Sequence, residues 1–161
     1  MGYTAITMNL INLRPAQKGM YFVSGLWSEQ CIAEARRHLP KNKLIEVTNL
    51  KGSDYTQMTD PKTWKIDKDA SFFHICVNET VHGFDVDATG NFPWHLIPKD
   101  VAIVGDMTSC IGTRPIDWKR FDVVYAGVQK NMGPTGCTIY IVNKKLLGKG
   151  MAPDCPVICD W

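Results

Sequence analysis

This 161-residue sequence has no apolar run approaching the roughly 20 residues a helix needs to cross a bilayer. Its first residues, MGYTAITMNLINL, carry no basic segment and no clear cleavage site, which makes a poor signal peptide. No CxxC pair occurs among the six cysteines, at 31, 76, 110, 137, 155 and 159. Cys76, Cys110 and Cys137 lie in or beside apolar runs, where a free cysteine acts as a small hydrophobe. A reduced, cytoplasmic setting therefore fits better than a disulfide framework. The triplet Asn78-Glu79-Thr80 matches a glycosylation sequon, but without a secretory signal the match reads as chance. There is no block of basic residues and no basic–aromatic stripe. The 18 Lys and Arg are interleaved with 16 Asp and Glu for a net charge of +2, which speaks against a nucleic-acid partner. Also missing are the phosphate-loop pattern G-x-x-x-x-G-K-[ST], the dinucleotide pattern GxGxxG, HExxH, and the G-x-S-x-G nucleophile elbow. The four histidines, at 38, 74, 82 and 95, show no paired ligand spacing, so no metal is expected. His74 lies inside an apolar run and reads as a satisfied core residue, His38 as a helix-end residue. No internal repeat and no low-complexity segment is visible.

What is present is an ordinary globular composition, 45% hydrophobic and 21% charged, of a size that fits one domain. Residues 3–13 read as a buried helix stopped by Arg14-Pro15. KGMYFVSG reads as a short buried strand. LWSEQCIAEARRHLP reads as a helix capped by Ser28, with Ile32, Ala35 and Leu39 on one face and Arg36, Arg37 and His38 at its negative end. KLIEVTNL is a second strand. Residues 51–70 are polar and rich in turn formers, and read as a surface excursion. Four more runs follow: SFFHICVN, VAIVGDMTS, FDVVYAGVQ and CTIYIVN. The middle two are almost continuously apolar, as in strands covered on both faces. Alternating helices and buried strands point to an α/β fold with a mostly parallel sheet. The short gap between Ser109 and Val123 leaves little room for a crossover helix, so some strands of the sheet should be mixed in direction.

In open α/β sheets, ligands bind beyond the carboxyl ends of the strands. The polar residues that end each apolar run are therefore the informative ones. They are Asn78, Glu79, Thr80 and His82 after the first, Asp106, Thr108 and Ser109 after the second, and Gln129, Lys130 and Asn131 after the third. Each has an ordinary explanation when taken singly. Asp106 can be a turn residue or cap, Thr80 a turn hydroxyl, and Lys130 a solvated amine. Together they suit one task, holding pyridoxal phosphate. Its aldehyde needs a lysine amine for a Schiff base. Its ring nitrogen needs a carboxylate to keep it protonated. Its phenolic oxygen takes a hydroxyl donor. A desolvated lysine with a lowered pKa would serve as nucleophile and then as proton carrier.

HICVNETVHG, VGDMTS, TRPID and YAGVQKNMGPTG, in this order and at these intervals, resemble the phosphoserine aminotransferase family. The likeness continues into IYIVNKKLLG and CPVICDW and runs back through KGSDYTQMTDPKTWKIDKDAS and GLWSEQCIAEA, covering almost the whole chain. The resemblance implies the large domain of a PLP-dependent transferase, with a mostly parallel, mixed sheet flanked by helices. It implies a homodimer that exchanges an amino group between glutamate and 3-phosphohydroxypyruvate, on the route to serine. By motif position Lys130 resembles the Schiff-base lysine, Asp106 the partner of the pyridine nitrogen and Thr80 the contact near the phenolic oxygen. Trp27 resembles the ring-stacking aromatic, which a helix-start core aromatic would also explain. Gln129 resembles a contact on the phosphate side. Arg114 matches a family position, and a structural salt bridge is expected of it.

Members of that family are more than twice as long. Residues 1–161 are therefore expected to be a partial cofactor-binding large domain, lacking an N-terminal segment and a C-terminal small domain. Little cofactor affinity or turnover would be expected of them alone. A catalytically incomplete product acting as a structural or partner-bound piece, or a relative of the cysteine desulfurases, are the alternatives.

Overall fold

The computed structural model describes residues 2–86 and 90–161. Helix α1 (Gly2–Leu10) runs into a 3-10 turn ending at Leu13 and buries Ala5, Ile6, Met8 and Leu10. Strand β1 (Gly19–Val23), helix α2 (Leu26–His38) and strand β2 (Leu44–Asn49) follow as one β-α-β unit. The chain then passes β1 to add β3 (Phe72–Cys76), β6 (Ala102–Asp106), β7 (Val123–Gly127) and β8 (Thr138–Val142). The resulting six-stranded order is β2-β1-β3-β6-β7-β8. All neighbours pair in parallel except β7 and β8, so the sheet is mixed, but not at the short Ser109–Val123 gap: β6 and β7 pair in parallel across a connection of turns, and the antiparallel pair is the next one along the chain. A two-residue hairpin, β4 (Asn78–Glu79) with β5 (Phe84–Asp85), stands beside the end of β3.

The period of two in each strand divides the core between the two faces of the sheet. Tyr21, Phe72, Val104 and Val123 face α1 and α2. Met20, Phe22, Phe73 and Val124 face the other way, and there the cover is loop and 3-10 turn instead of α-helix. An aromatic cluster fills that layer, with Phe22 4.9 Å from Trp64 and 5.2 Å from Phe92 between ring centroids. Residues 51–70 are thus more than a surface excursion. Their polar side chains are exposed, but Tyr55, Trp64 and Ala70 are buried beneath them. Residues 107–122, between β6 and β7, contain no α-helix.

Two local readings change. Helix α2 begins at Leu26, so Ser28 is its third residue, and its hydroxyl accepts from the backbone N–H groups of Ser24 and Gly25 instead of capping the helix alone. Cys137 is exposed, because it precedes an edge strand whose outer side has no partner strand. All six cysteines are free.

Candidate active site

After β1 the chain turns to one side for β2 and to the other for β3, so a crevice opens between the carboxyl ends of β1 and β3. Such switch points are where open α/β sheets hold ligands. Trp27 comes from the first turn of α2, Thr80 follows β4, and Asp106 ends β6. Gln129 and Lys130 lie on the turn after β7. These five residues line a single cavity of about 230 Å³, together with Tyr3, Thr108, Ser109 and Tyr125.

Asp106 forms its buried wall, only 4% exposed. The backbone N–H of Thr108 (2.9 Å) and its hydroxyl (2.6 Å) both donate to Oδ1. The Thr108 hydroxyl oxygen also accepts from Gly127 N–H at 3.2 Å, tying the end of β6 to that of β7. Burial raises the Asp106 pKa, the bonds from Thr108 and Tyr125 pull it partly back, and the Glu79 charge adds to the rise. The site therefore concentrates negative charge where little water reaches it, a setting that favours a cationic ligand group. Among the described residues no cation forms an ion pair with Asp106, and Lys130 is the one cation lining the cavity.

The opposite wall is held by a carboxylate that the sequence showed only as a run end. Glu79 is fully buried and accepts from the N–H groups of Trp27 (2.9 Å) and Ser28 (2.8 Å) and from the Ser28 hydroxyl (2.6 Å). It caps the positive N-terminus of α2 from another segment of the chain. A Cβ on Gly25 would sit 2.7 Å from Glu79 Cδ, so the close approach requires glycine there. The Leu26 N–H finds the Nδ1 of His82 at 3.1 Å. With the helix start secured, the Trp27 indole N–H donates to the Thr80 hydroxyl at 3.3 Å, which leaves the proton of that hydroxyl for another acceptor.

Lys130 differs from the sequence expectation. It is exposed, not desolvated, because β7 ends at Gly127 and the following turn carries the chain out of the sheet. That turn is anchored by Met132 and Gly133 N–H groups on the Val128 carbonyl, both at 2.9 Å, and by the Asn131 amide on the Ile111 carbonyl at 2.9 Å. Gln129 folds back over Gly127, where a Cβ would lie 2.6 Å from its Oε1. Arg114 does not line the cavity. It pairs with Asp85 at 2.9 Å, as a structural salt bridge should.

Sequence reasoning did not assign a site to Tyr125, which it read as strand core, or to Tyr3. Period-two counting back from Gly127 would have put Tyr125 on the cavity face, but Tyr3 reaches it only through the packing of α1. Among the described residues no cluster of three or more His, Cys, Asp or Glu is placed to hold a metal ion. No helix among them is long and apolar enough to cross a membrane.

Residues 2–153 match the family model described as aminotransferase class-V. The chain is 38% identical over 160 residues to a phosphoserine aminotransferase of Herminiimonas arsenicoxydans, covering 97% of this chain and 40% of the relative. It is 35% identical over 151 residues to one of Polaromonas, covering 94% and 39%. A crystal structure of PLP-bound phosphoserine aminotransferase from Trichomonas vaginalis superposes with a TM-score of 0.80 at 28% identity, over 99% of this chain and 42% of that one. The chain thus spans about 40% of the length of the curated relatives it matches.

Proposed function

Because the chain belongs to the class-V aminotransferase family, we propose that it carries the pyridoxal phosphate site of a phosphoserine aminotransferase. That enzyme passes an amino group between glutamate and 3-phosphohydroxypyruvate, giving phosphoserine and 2-oxoglutarate on the route to serine. The relatives' names and their identity to this chain support the substrates. A homodimer and a reduced, cytoplasmic setting belong to the same reading, the latter in keeping with six free cysteines.

One observation carries the cofactor reading: a buried carboxylate with no cation paired to it among the described residues shares a small cavity with an unburied lysine and an indole wall. The donor set fits the ring end of the cofactor. Pyridoxal phosphate supplies, when bound, an electron sink for the pair left on a substrate α-carbon. Asp106 would face the ring nitrogen and hold a proton there by charge. Its own bonds to Thr108 keep the carboxylate from turning away. Thr80, already accepting from Trp27, would donate its hydroxyl proton to the phenolic oxygen. Trp27 would cover one ring face and exclude water from it. The Lys130 Nζ would be the nucleophile that holds the cofactor covalently, and its amine would carry the proton to and from the substrate α-carbon. Gln129 would meet the phosphate with its amide.

The test adds pyridoxal phosphate to the chain, reduces with borohydride and locates the adduct by mass spectrometry. We expect it on Lys130 and expect Lys130→Ala to abolish it. The same labelling in both proteins would refute the assignment. Amino transfer from glutamate to 3-phosphohydroxypyruvate is the second assay. Since Lys130 is the one cation lining the cavity among the described residues, and it is committed to the cofactor, an anionic substrate has no partner there. The chain alone should turn over slowly at best. Fast turnover would show that the substrate's anionic groups need no further cation.

A further inference from the structure

Thr108 holds Asp106 on its Oδ1 side, and a second pair of residues stands on the inner side. The parallel register sets Tyr125 of β7 directly beside Asp106, and Cys76 of β3 on its other flank. His74 lies two residues before Cys76 and so points to the same face. The Tyr125 hydroxyl is 2.8 Å from His74 Nε2, and Tyr125, which lines the same cavity as Asp106, is one of the donors that pull the Asp106 pKa back down. Cys31 Sγ lies 3.4 Å from the same imidazole nitrogen. His74 is fully buried, and its Nδ1 has no hydrogen-bond partner among the described residues. The reading of His74 as a satisfied core histidine therefore holds for one ring nitrogen and fails for the other.

That imbalance decides which way the protons run. Burial lowers the His74 pKa to about 3, so the ring is neutral and carries one proton. With the proton on Nδ1, a buried N–H would be left without an acceptor, an arrangement proteins rarely tolerate. Nε2 would then have to accept from Tyr125, and Asp106 would lose that donor. With the proton on Nε2, only a bare lone pair on Nδ1 is stranded, the Tyr125 oxygen accepts, and the Tyr125 proton is left for Asp106. We propose that His74 and Tyr125 are positioning residues for Asp106: His74 keeps its ring proton on Nε2 and donates it to the Tyr125 hydroxyl, and that hydroxyl aims its own proton at the Asp106 carboxylate. Thr108 from one side and Tyr125 from the other then hold the carboxylate ionised and in one orientation, toward the cavity.

Two measurements test this. Nitrogen-15 NMR of the labelled wild-type chain, without cofactor, reads the tautomer directly. A proton on Nε2 is expected, and a proton on Nδ1 overturns the proposal however the variants behave. The second measurement rests on the cofactor reading above: the affinity for pyridoxal phosphate by equilibrium dialysis, with folding checked by circular dichroism. Tyr125→Phe and His74→Leu should each loosen binding about tenfold, as for a lost bond to a charged group. His74→Gln can present an amide N–H in place of Nε2–H and should stay within about threefold of wild type. Equal loosening by Gln and Leu would mean that His74 only fills space, and would overturn the relay. If wild type itself binds no pyridoxal phosphate, the cofactor reading fails, and the tautomer still judges the relay.

Discussion

Replacing Asp106 by Asn should make the cofactor-free chain more stable while weakening its hold on pyridoxal phosphate. Asn keeps a carbonyl oxygen for the two Thr108 donors at 2.6 and 2.9 Å, and it exchanges the charge and the second carboxylate oxygen for an amide NH2. Charge-assisted bonds are about twice as strong as neutral ones, so roughly 1 kcal/mol is given back at that oxygen. Against this stands the desolvation of a carboxylate that is 4% exposed and has no ion-pair partner among the described residues. Removing buried charge in favour of well-packed neutral groups is commonly stabilising by about 1–4 kcal/mol. A net gain of up to about 3 kcal/mol follows, or up to about 10 °C in Tm for a chain of this size. The sign of the pH dependence is also set. Burial lifts the native pKa of Asp106 above its ordinary 3.8, so the penalty is fully present above the native pKa. It is released as pH falls through that pKa, and the gap between variant and wild type closes by about pH 3.8. Urea unfolding across this range measures the difference, and titrations common to both proteins cancel. An Asp106→Asn chain less stable than wild type at pH 7 would refute the view of Asp106 as a charge kept at a cost for a ligand.

Three further outcomes can be checked. Glu79→Ala should cost about 2–4 kcal/mol in urea unfolding, because it strands the Trp27 and Ser28 N–H groups at the buried start of α2. Amide exchange at residues 26–28 should quicken with it. Gly127→Ala should cost about 1 kcal/mol or less, since the atom in the way is the far end of Gln129, yet it should weaken cofactor retention severalfold in dialysis by displacing that amide. His74 should make the fold acid-labile. Its native pKa of about 3 lies below the ordinary 6.5, so the unfolded chain takes the proton first, and stability falls as pH drops from 6.5 toward 3. That loss is about 5 kcal/mol in full, and His74→Gln should flatten this part of the pH–stability curve.

The strands were legible because apolar runs bounded by turn residues leave few other choices, and their polar ends marked Thr80, Asp106 and Lys130 without any structure. The helix start was harder to place. A serine before an apolar face looks like a cap, but the true cap, Glu79, comes from fifty residues further on, and no local pattern reports it. Trp64 was hidden for a similar reason. Scattered aromatics in a polar segment give no period, and the burial of Trp64 shows only once Phe22 and Phe92 are seen packed against it. Lys130 was expected to be desolvated because it follows a buried strand. Three residues of turn were enough to bring it to the rim.

The sequence by itself determined the α/β class, the order of the strands along the chain and the residue types able to carry the chemistry. These follow from local spacing and from what each side chain can donate, accept or hold as charge. Tertiary structure alone decided that β3 passes β1, and so opened the crevice in which Trp27, Thr80, Asp106 and Lys130 meet. It also set Tyr125 beside Asp106 and His74 behind Tyr125. Strand adjacency and register arise from packing across the sheet, and a linear pattern does not encode which strand lies next to which.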